Sequence, residues 1–227
     1  MSIEITGVSS MATRLILEEL SRRYEASSGC RVAIRPMGGV DAARRVREGE
    51  AVDVVVLASN VMAELEAEGH VAAGSIADFT RSGMAIAVRA GAARPDIGSE
   101  EAVRRVVAAA SSVGYSTGPS GNHLLKLCEK WGVAPEGRLV KAPPGVPVGT
   151  LVARGEVELG FQQLSELMTV PGIDIVGPLP PEIQKVTVFA AGISATAAHG
   201  AEARTLIAFL NSPEAVAVKR ANGMEPA

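Results

Sequence analysis

At 227 residues, 47% of them hydrophobic, the chain is long enough for one large domain or two smaller lobes with cores of their own. Aromatics at 3% and a net charge of −3 exclude a base-stacking platform and a basic nucleic-acid footprint, and leave the cores to Val, Leu, Ile and Ala. No apolar stretch reaches the length of a membrane span, and Cys30 and Cys128, outside any CxxC or Cys/His cluster, read as buried thiols.

The elements alternate from the start. "IEITGV" is a β-type run, and "MATRLILEELSRRYEA" follows with Leu15, Leu17 and Leu20 along its inner side. "CRVAIRPM" is a second strand and "DAARRVREGE" a short charged helix. "AVDVVVLA" is the continuous apolar run of a strand covered on both faces, and "NVMAELEAEG" is the next helix, stopping at Gly69. This repeated strand–helix logic predicts parallel pairing with right-handed crossovers.

From Ala77 the rhythm changes. "FTRSGMAIAVRAG" is a long strand, and "SEEAVRRVVAAA" a helix capped by Ser99. Strand "SVGYS", a glycine-rich turn, helix "NHLLKLCEKW" and strand "GRLVKA" come next. The proline-rich "PPGVPVGTLVARG" leads into a short helix, followed by strand-like "VELGFQ" and "IDIVGP". "KVTVFAAGIS" is a second long strand, and two helices finish the chain, with Pro213 in the first turn of the last. The expected organisation is an α/β fold of two lobes with mixed, mainly parallel sheets: 1–79 and 186–227 form one lobe, and 80–185 is inserted as the other.

Several strand-to-helix turns carry more small polar residues than connection needs, and such turns in open α/β structures collect at carboxyl ends of strands, here expected to face a shared cleft. In "TGVSSMAT", Ser9 and Ser10 open the first helix; capping explains one serine, and a ligand contact would explain the pair. In "RPMGGVDAA", Gly38 and Gly39 either permit a tight turn or bring bare N–H groups to a ligand, while Arg35 reads as a surface arginine. In "STGPSGNH", Thr117, Ser120 and Gly121 suit an anion cradle, with Asn122 and His123 in the first helical turn. A neutral His123 there is either a donor or base, or a solvent-facing side chain. In "LGFQQLSELM", the amides of Gln162 and Gln163 are expected to point into the cleft, and in "APPGVPVG" the Val146 N–H to point inward. There is no GxSxG elbow, P-loop or dinucleotide fingerprint, and His70 and His199 lack partner ligands, so no metal or cofactor is expected. Recognition of a small anion is what these turns suit.

Taken in order, "GVSSM", "AARRVREGEAVDVVVLAS", "GPSGNHLLKLCEKWG", "VARGEVELGFQQLSEL" and "FLNSPEAVAVKRANG" resemble the molybdate-binding-protein-like members of the type II periplasmic binding proteins over nearly the whole chain. The resemblance implies two lobes closing on a small oxyanion or carboxylate, with Ser10, Ser120, the Val146 N–H and Gln163 at ligand positions. Two departures stand against molybdate. Gly38 and Gly39 replace an expected serine pair, and Gln163 replaces a tyrosine; each lost hydroxyl donor costs about 1–3 kcal/mol in a buried anion site. The "GFQQLSEL" version also resembles the aconitate-isomerase branch, which implies proton transfer with His123 as acid/base and Ser10, Thr117, Ser120 and Gln163 gripping carboxylates. The expected partner is a small oxyanion or polycarboxylate, joined by a transporter permease if the chain is exported. "MSIEITGVSS" has no signal-peptide pattern, so the sequence as written reads as cytoplasmic; a trimmed export signal would leave the same start on a periplasmic protein.

Overall fold

A computed structural model describes residues 3–133 and 137–227. In chain order these form β1 (Glu4–Ser10), α1 (Arg14–Ser28), β2 (Arg31–Met37), α2 (Gly39–Arg47), β3 (Val54–Ala58) and α3 (Ser59–Ala67). Next come β4 (Ala77–Arg89), α4 (Glu100–Ala109), β5 (Val113–Tyr115), α5 (Pro119–Trp131), β6 (Leu139–Lys141) and α6 (Val148–Ala153). The chain then continues through β7 (Leu159–Gln163), α7 (Leu164–Leu167), β8 (Ile173–Pro178), β9 (Val186–Ile193), α8 (Gly200–Leu210), α9 (Pro213–Ala221) and β10 (Glu225–Pro226). Single 3-10 turns stand before α1 and before β9. The chain divides into two compact units: one comprises the residues up to Arg81 together with Thr187–Ala227, the other Ser82–Val186.

In the first unit β1 pairs in parallel with β2 and β3, β9 joins β3 antiparallel, and β10 pairs antiparallel with the start of β4. The apolar run of β3 is buried at every position. Val54 and Val56 pack with Ile5, Leu17, Leu20, Leu206 and Leu210 on the α1, α8 and α9 side. Val55 and Leu57 pack with Ala42, Val46, Met62 and Leu65 on the α2 and α3 side. That two-sided cover is why the strand reads as unbroken hydrophobic sequence. In α1 it is Ile16, Leu17, Leu20 and Tyr24 that are buried, the regular 3.6-residue face, while Leu15, about 100° round the helix from Ile16, is only half-buried.

In the second unit β5 lies parallel between β6 and β7, and β4 runs antiparallel to β7 and β8. Met84, Ile86, Val113, Leu159 and Phe161 form its core with Val103 and Val107 of α4 and Leu124 and Leu127 of α5. A smaller cluster of Val148, Leu151 and Val152 from α6 covers the other side with Ala142 and Val157. Gly160 fits this face because an added Cβ would meet Val152 Cγ2 at 2.5 Å. The protein is thus α/β with mixed sheets. Ser99 caps α4, its Oγ accepting from the Ala102 N–H at 3.2 Å, and Pro213 opens α9. Cys128 is buried, whereas Cys30, expected there too, is half-buried at the edge just after α1; both thiols are free.

Candidate functional site

In the first unit, register places two predicted turns side by side: Ser9 pairs with Pro36 and Ser10 with Met37, so both parallel strands reach their carboxyl ends together. Ser9 does not open a helix; it is the penultimate residue of β1, fully buried, and its Oγ has no partner among the described residues. Ser10 caps the 3-10 turn, Oγ accepting from the Ala12 N–H at 3.4 Å, while its carbonyl accepts from the Thr13 hydroxyl at 3.0 Å. Gly38 caps α2 at φ −58°, ψ 134°, and Gly39 is also at negative φ; both conformations are open to any L-residue. An added Cβ would touch only Asp41 Oδ2 at 3.4 Å and Leu57 Cδ2 at 4.0 Å. The fold therefore does not require glycine at either position, and the tight-turn explanation fails. Arg35 is a surface residue, paired with Glu50.

In the second unit, Tyr115 is paired with Phe161, so the β5–α5 and β7–α7 turns share one carboxyl edge. Gly118 caps α5 and its carbonyl accepts from the Asn122 N–H at 3.1 Å; Pro119 occupies the first helical position. Ser120 is buried, its Oγ 3.0 Å from Ser116 Oγ, and Ser116 Oγ also accepts from the Gly118 N–H at 3.3 Å. Gly121 is required by close approach: an ideal Cβ would lie 1.7 Å from the Ser116 carbonyl oxygen. Thr117 is half-buried and Asn122 exposed. The first main-chain N–H groups of α5 lie at this edge, at the positive end of the helix dipole, where helices hold carboxylates and oxyanions.

His123 is half-buried, and its Nε2 donates to the Ile183 carbonyl at 2.8 Å, which leaves Nδ1 as its remaining nitrogen. Two donor expectations change. The Val146 N–H donates to the Pro143 carbonyl at 3.1 Å, closing the proline-framed turn on itself instead of pointing inward. Gln162 does not offer a free amide, because its Oε1 accepts from the Val148 N–H at 2.7 Å and its Nε2 donates to Glu166 Oε1 at 2.8 Å. It ties the start of α6 to α7. Gln163 is 2% exposed and pairs across the sheet with Met84.

Residues 5–225 match the family of bacterial extracellular solute-binding proteins. The chain belongs to that family. A relative, the aconitate isomerase of a Pseudomonas species, is 37% identical over 229 residues, covering 98% of this chain and 87% of the relative. Among solved structures, the periplasmic molybdate-binding protein of Azotobacter vinelandii superposes with a TM-score of 0.79 at 20% identity, covering 97% of this chain and 98% of that one. The sulfate-binding protein of Mycobacterium tuberculosis superposes with a TM-score of 0.80 at 18% identity, covering 99% and 87%. Those two likenesses concern the fold. Among the described residues, no helix is long and apolar enough to cross a membrane.

Three groups of this solute-binding protein escaped the sequence. Asp53 is buried: burial acts to raise its carboxyl, but the Thr6 and His199 N–H groups (both 2.8 Å) and the Thr6 hydroxyl (3.1 Å) outweigh that and hold it below the usual range. It joins β1 to the start of α8. Lys219 is 2% exposed, with Nζ 5.4 Å from the centre of the Phe79 ring, and burial lowers its pKa to about 8. Glu166, in the first turn of α7, is half-buried, and the dense protein around its carboxyl pushes the pKa up to about 7 against the opposing pull of the Gln162 amide. No periodic signal marked the last, since Gln162 ends a strand and Glu166 lies in the four-residue helix after it.

Proposed function

We propose that this chain is an isomerase of an unsaturated tricarboxylate of the aconitate type, working by proton transfer on a solute-binding fold. The observation that carries this reading is the 37% identity to an aconitate isomerase along 98% of the chain. The donors described above agree with it. In the second unit the main-chain N–H groups opening α5 and the Thr117 hydroxyl suit a carboxylate, and in the first unit Gly38 and Gly39 bring no side-chain hydroxyl of the kind a tetrahedral oxyanion favours.

The chemistry demands little equipment. Aconitate carries a methylene carbon and a vinylic carbon on either side of a central carbon, each bearing a carboxylate. Removing a proton from the methylene and returning one to the vinylic carbon moves the double bond across, and the new bond forms in either geometry. A base near neutrality handles the proton, and fixed donors on the carboxylates stabilise the charge that spreads onto them in the transition state. No redox step arises.

A second reading, solute binding without chemistry, is favoured by the family match over residues 5–225; the protein would then hand its ligand to a transporter permease. One experiment separates the two. The protein is melted with molybdate, tungstate, sulfate, phosphate, citrate, cis-aconitate and trans-aconitate, and incubated with trans-aconitate in deuterium oxide under proton NMR. Stabilisation by aconitates with appearance of the cis isomer is the expected result. Stabilisation by any of these ligands without conversion overturns the isomerase reading in favour of plain binding, and stabilisation by none overturns both.

A further inference from the structure

The carboxyl edge of β5 and β7 holds an acid, Glu166, whose surroundings differ from those of the ion-paired surface carboxylates. Glu50, Glu68, Glu100 and Glu101 are each paired with arginine or lysine at the surface. Glu166 has no ion pair among the described residues. Its carboxyl takes a single hydrogen bond there, the 2.8 Å one from Gln162 Nε2 to Oε1, and among the described residues Oε2 has no partner. Gln162 is itself anchored, since its Oε1 accepts from the Val148 N–H at 2.7 Å, which fixes the amide that Glu166 accepts from. A relay of main-chain N–H, amide and carboxyl therefore holds one oxygen of Glu166 and leaves the other open on a half-buried residue. An acid kept only for structure would be expected to fill both oxygens or to face a cation.

We propose that Glu166 is the catalytic residue that carries the proton in the isomerisation. This rests on the isomerase reading. As the carboxylate, Oε2 takes the proton from the methylene carbon of the bound tricarboxylate. The C–H electron pair spreads over the three-carbon system and its carboxylates. Oε2 then delivers the proton to the former vinylic carbon, where a C–H bond forms as the double bond moves to the other side, and Glu166 returns to its starting state. One proton leaves and one returns; nothing is oxidised or reduced. A carboxyl that gives up and regains a proton near neutrality is matched to this cycle, which the burial around Glu166 provides.

The test compares wild type with Glu166→Gln and Glu166→Asp, using trans-aconitate in deuterium oxide. Glu166→Gln keeps the shape and the contact with Gln162 but cannot take a proton; deuterium uptake and conversion are expected to fall by at least about 100-fold. Stabilisation by trans-aconitate in a thermal melt is expected to remain. The rise of kcat/KM with pH that marks the ionising base is expected in wild type, to persist in Glu166→Asp at a reduced rate, and to vanish from the residual rate of Glu166→Gln. A Glu166→Gln variant that exchanges and converts at the wild-type rate overturns the assignment, as does a wild-type kcat/KM with no such rise. If Glu166→Gln does not fold, the Glu166→Asp rate and profile decide the matter on the same terms. A wild type that binds trans-aconitate but shows neither exchange nor conversion fails at the isomerase reading itself, a result distinct from an active wild type with an indifferent Glu166.

Discussion

Replacing Lys219 by methionine is expected to stabilise the protein at neutral pH, although it removes a charge from a charged chain. Lys219 lies in α9, 2% exposed, with its ammonium 5.4 Å from the centre of the Phe79 ring and no carboxylate paired with it among the described residues. A pKa that falls from 10.5 to about 8 corresponds to about 3 kcal/mol of preference against the charged form. Relaxation of the protein around a buried charge lowers that, so about half, roughly 1–2 kcal/mol, is the cost carried by the folded state. Methionine fills the same space with an unbranched apolar chain and forfeits a cation–ring contact of about 0.5–1 kcal/mol. The net gain is about 1 kcal/mol, equivalent to about 2–4 °C in Tm for a chain of this size. The pH dependence follows from proton counts. Between about 8 and 10.5 the unfolded chain binds more protons at this lysine than the folded chain, so wild-type stability rises with pH across that window. Below it the cost is constant, and above it the lysine is neutral in both states. Urea unfolding followed by circular dichroism, at about pH 7 and again near pH 10.5, should therefore show the variant ahead at the lower pH and level at the higher. A variant less stable than wild type at pH 7, or a gap that does not close as pH rises, refutes the reasoning.

Gly121→Ala is expected to cost about 3 kcal/mol, the upper end for overpacking, because its methyl would sit 1.7 Å from the Ser116 carbonyl oxygen; an unchanged melting temperature would contradict the close approach. Asp53→Ala leaves the Thr6 and His199 N–H groups without their acceptor and is expected to lose about 2–4 kcal/mol in urea titrations. Because the Asp53 pKa is lowered in the folded state, its stabilisation is present above the ordinary carboxylate range and is lost as pH falls through the folded value. Wild type should lose this part in acid while the alanine variant does not. Gln162→Leu strips the Val148 N–H of its acceptor and Glu166 of its donor. It should cost about 1–3 kcal/mol, read by thermal melting, and move the Glu166 carboxyl still higher, read by the carboxyl carbon shift in an NMR titration.

What the sequence made legible was what short-range pattern and burial determine alone. The run Val54–Ala58 announced a strand covered on both faces, Ser99 and Pro213 announced helix starts, and the order of elements announced an α/β fold. Elements too short to show a period were missed: the 3-10 turn at Met11–Thr13, the four residues of α7, and the two of β10. Candidate site positions fall at or next to strand ends, but the hydrogen-bond roles of individual atoms there could not be read from the sequence. Whether Val146 aims its N–H inward depends on a proline carbonyl three residues earlier, and whether Gln162 is free depends on Val148, fourteen residues away. Glu166 and Lys219 look like ordinary surface charges in the sequence, since their environments are made by distant segments.

The first unit is assembled from both ends of the chain, and β3 takes an antiparallel partner, β9, in the register Val54↔Ile193. During synthesis the whole of Ser82–Val186 leaves the ribosome before that partner exists. The inserted unit can therefore complete its core first, while the nascent N-terminal segment waits with an apolar strand edge unpaired. Its vulnerable interval is set by translation speed and chaperone cover over the stretch encoding Ser82–Ile193, about half of the message, and slowing elongation there should raise aggregation of newly made chains without altering the stability of the finished protein.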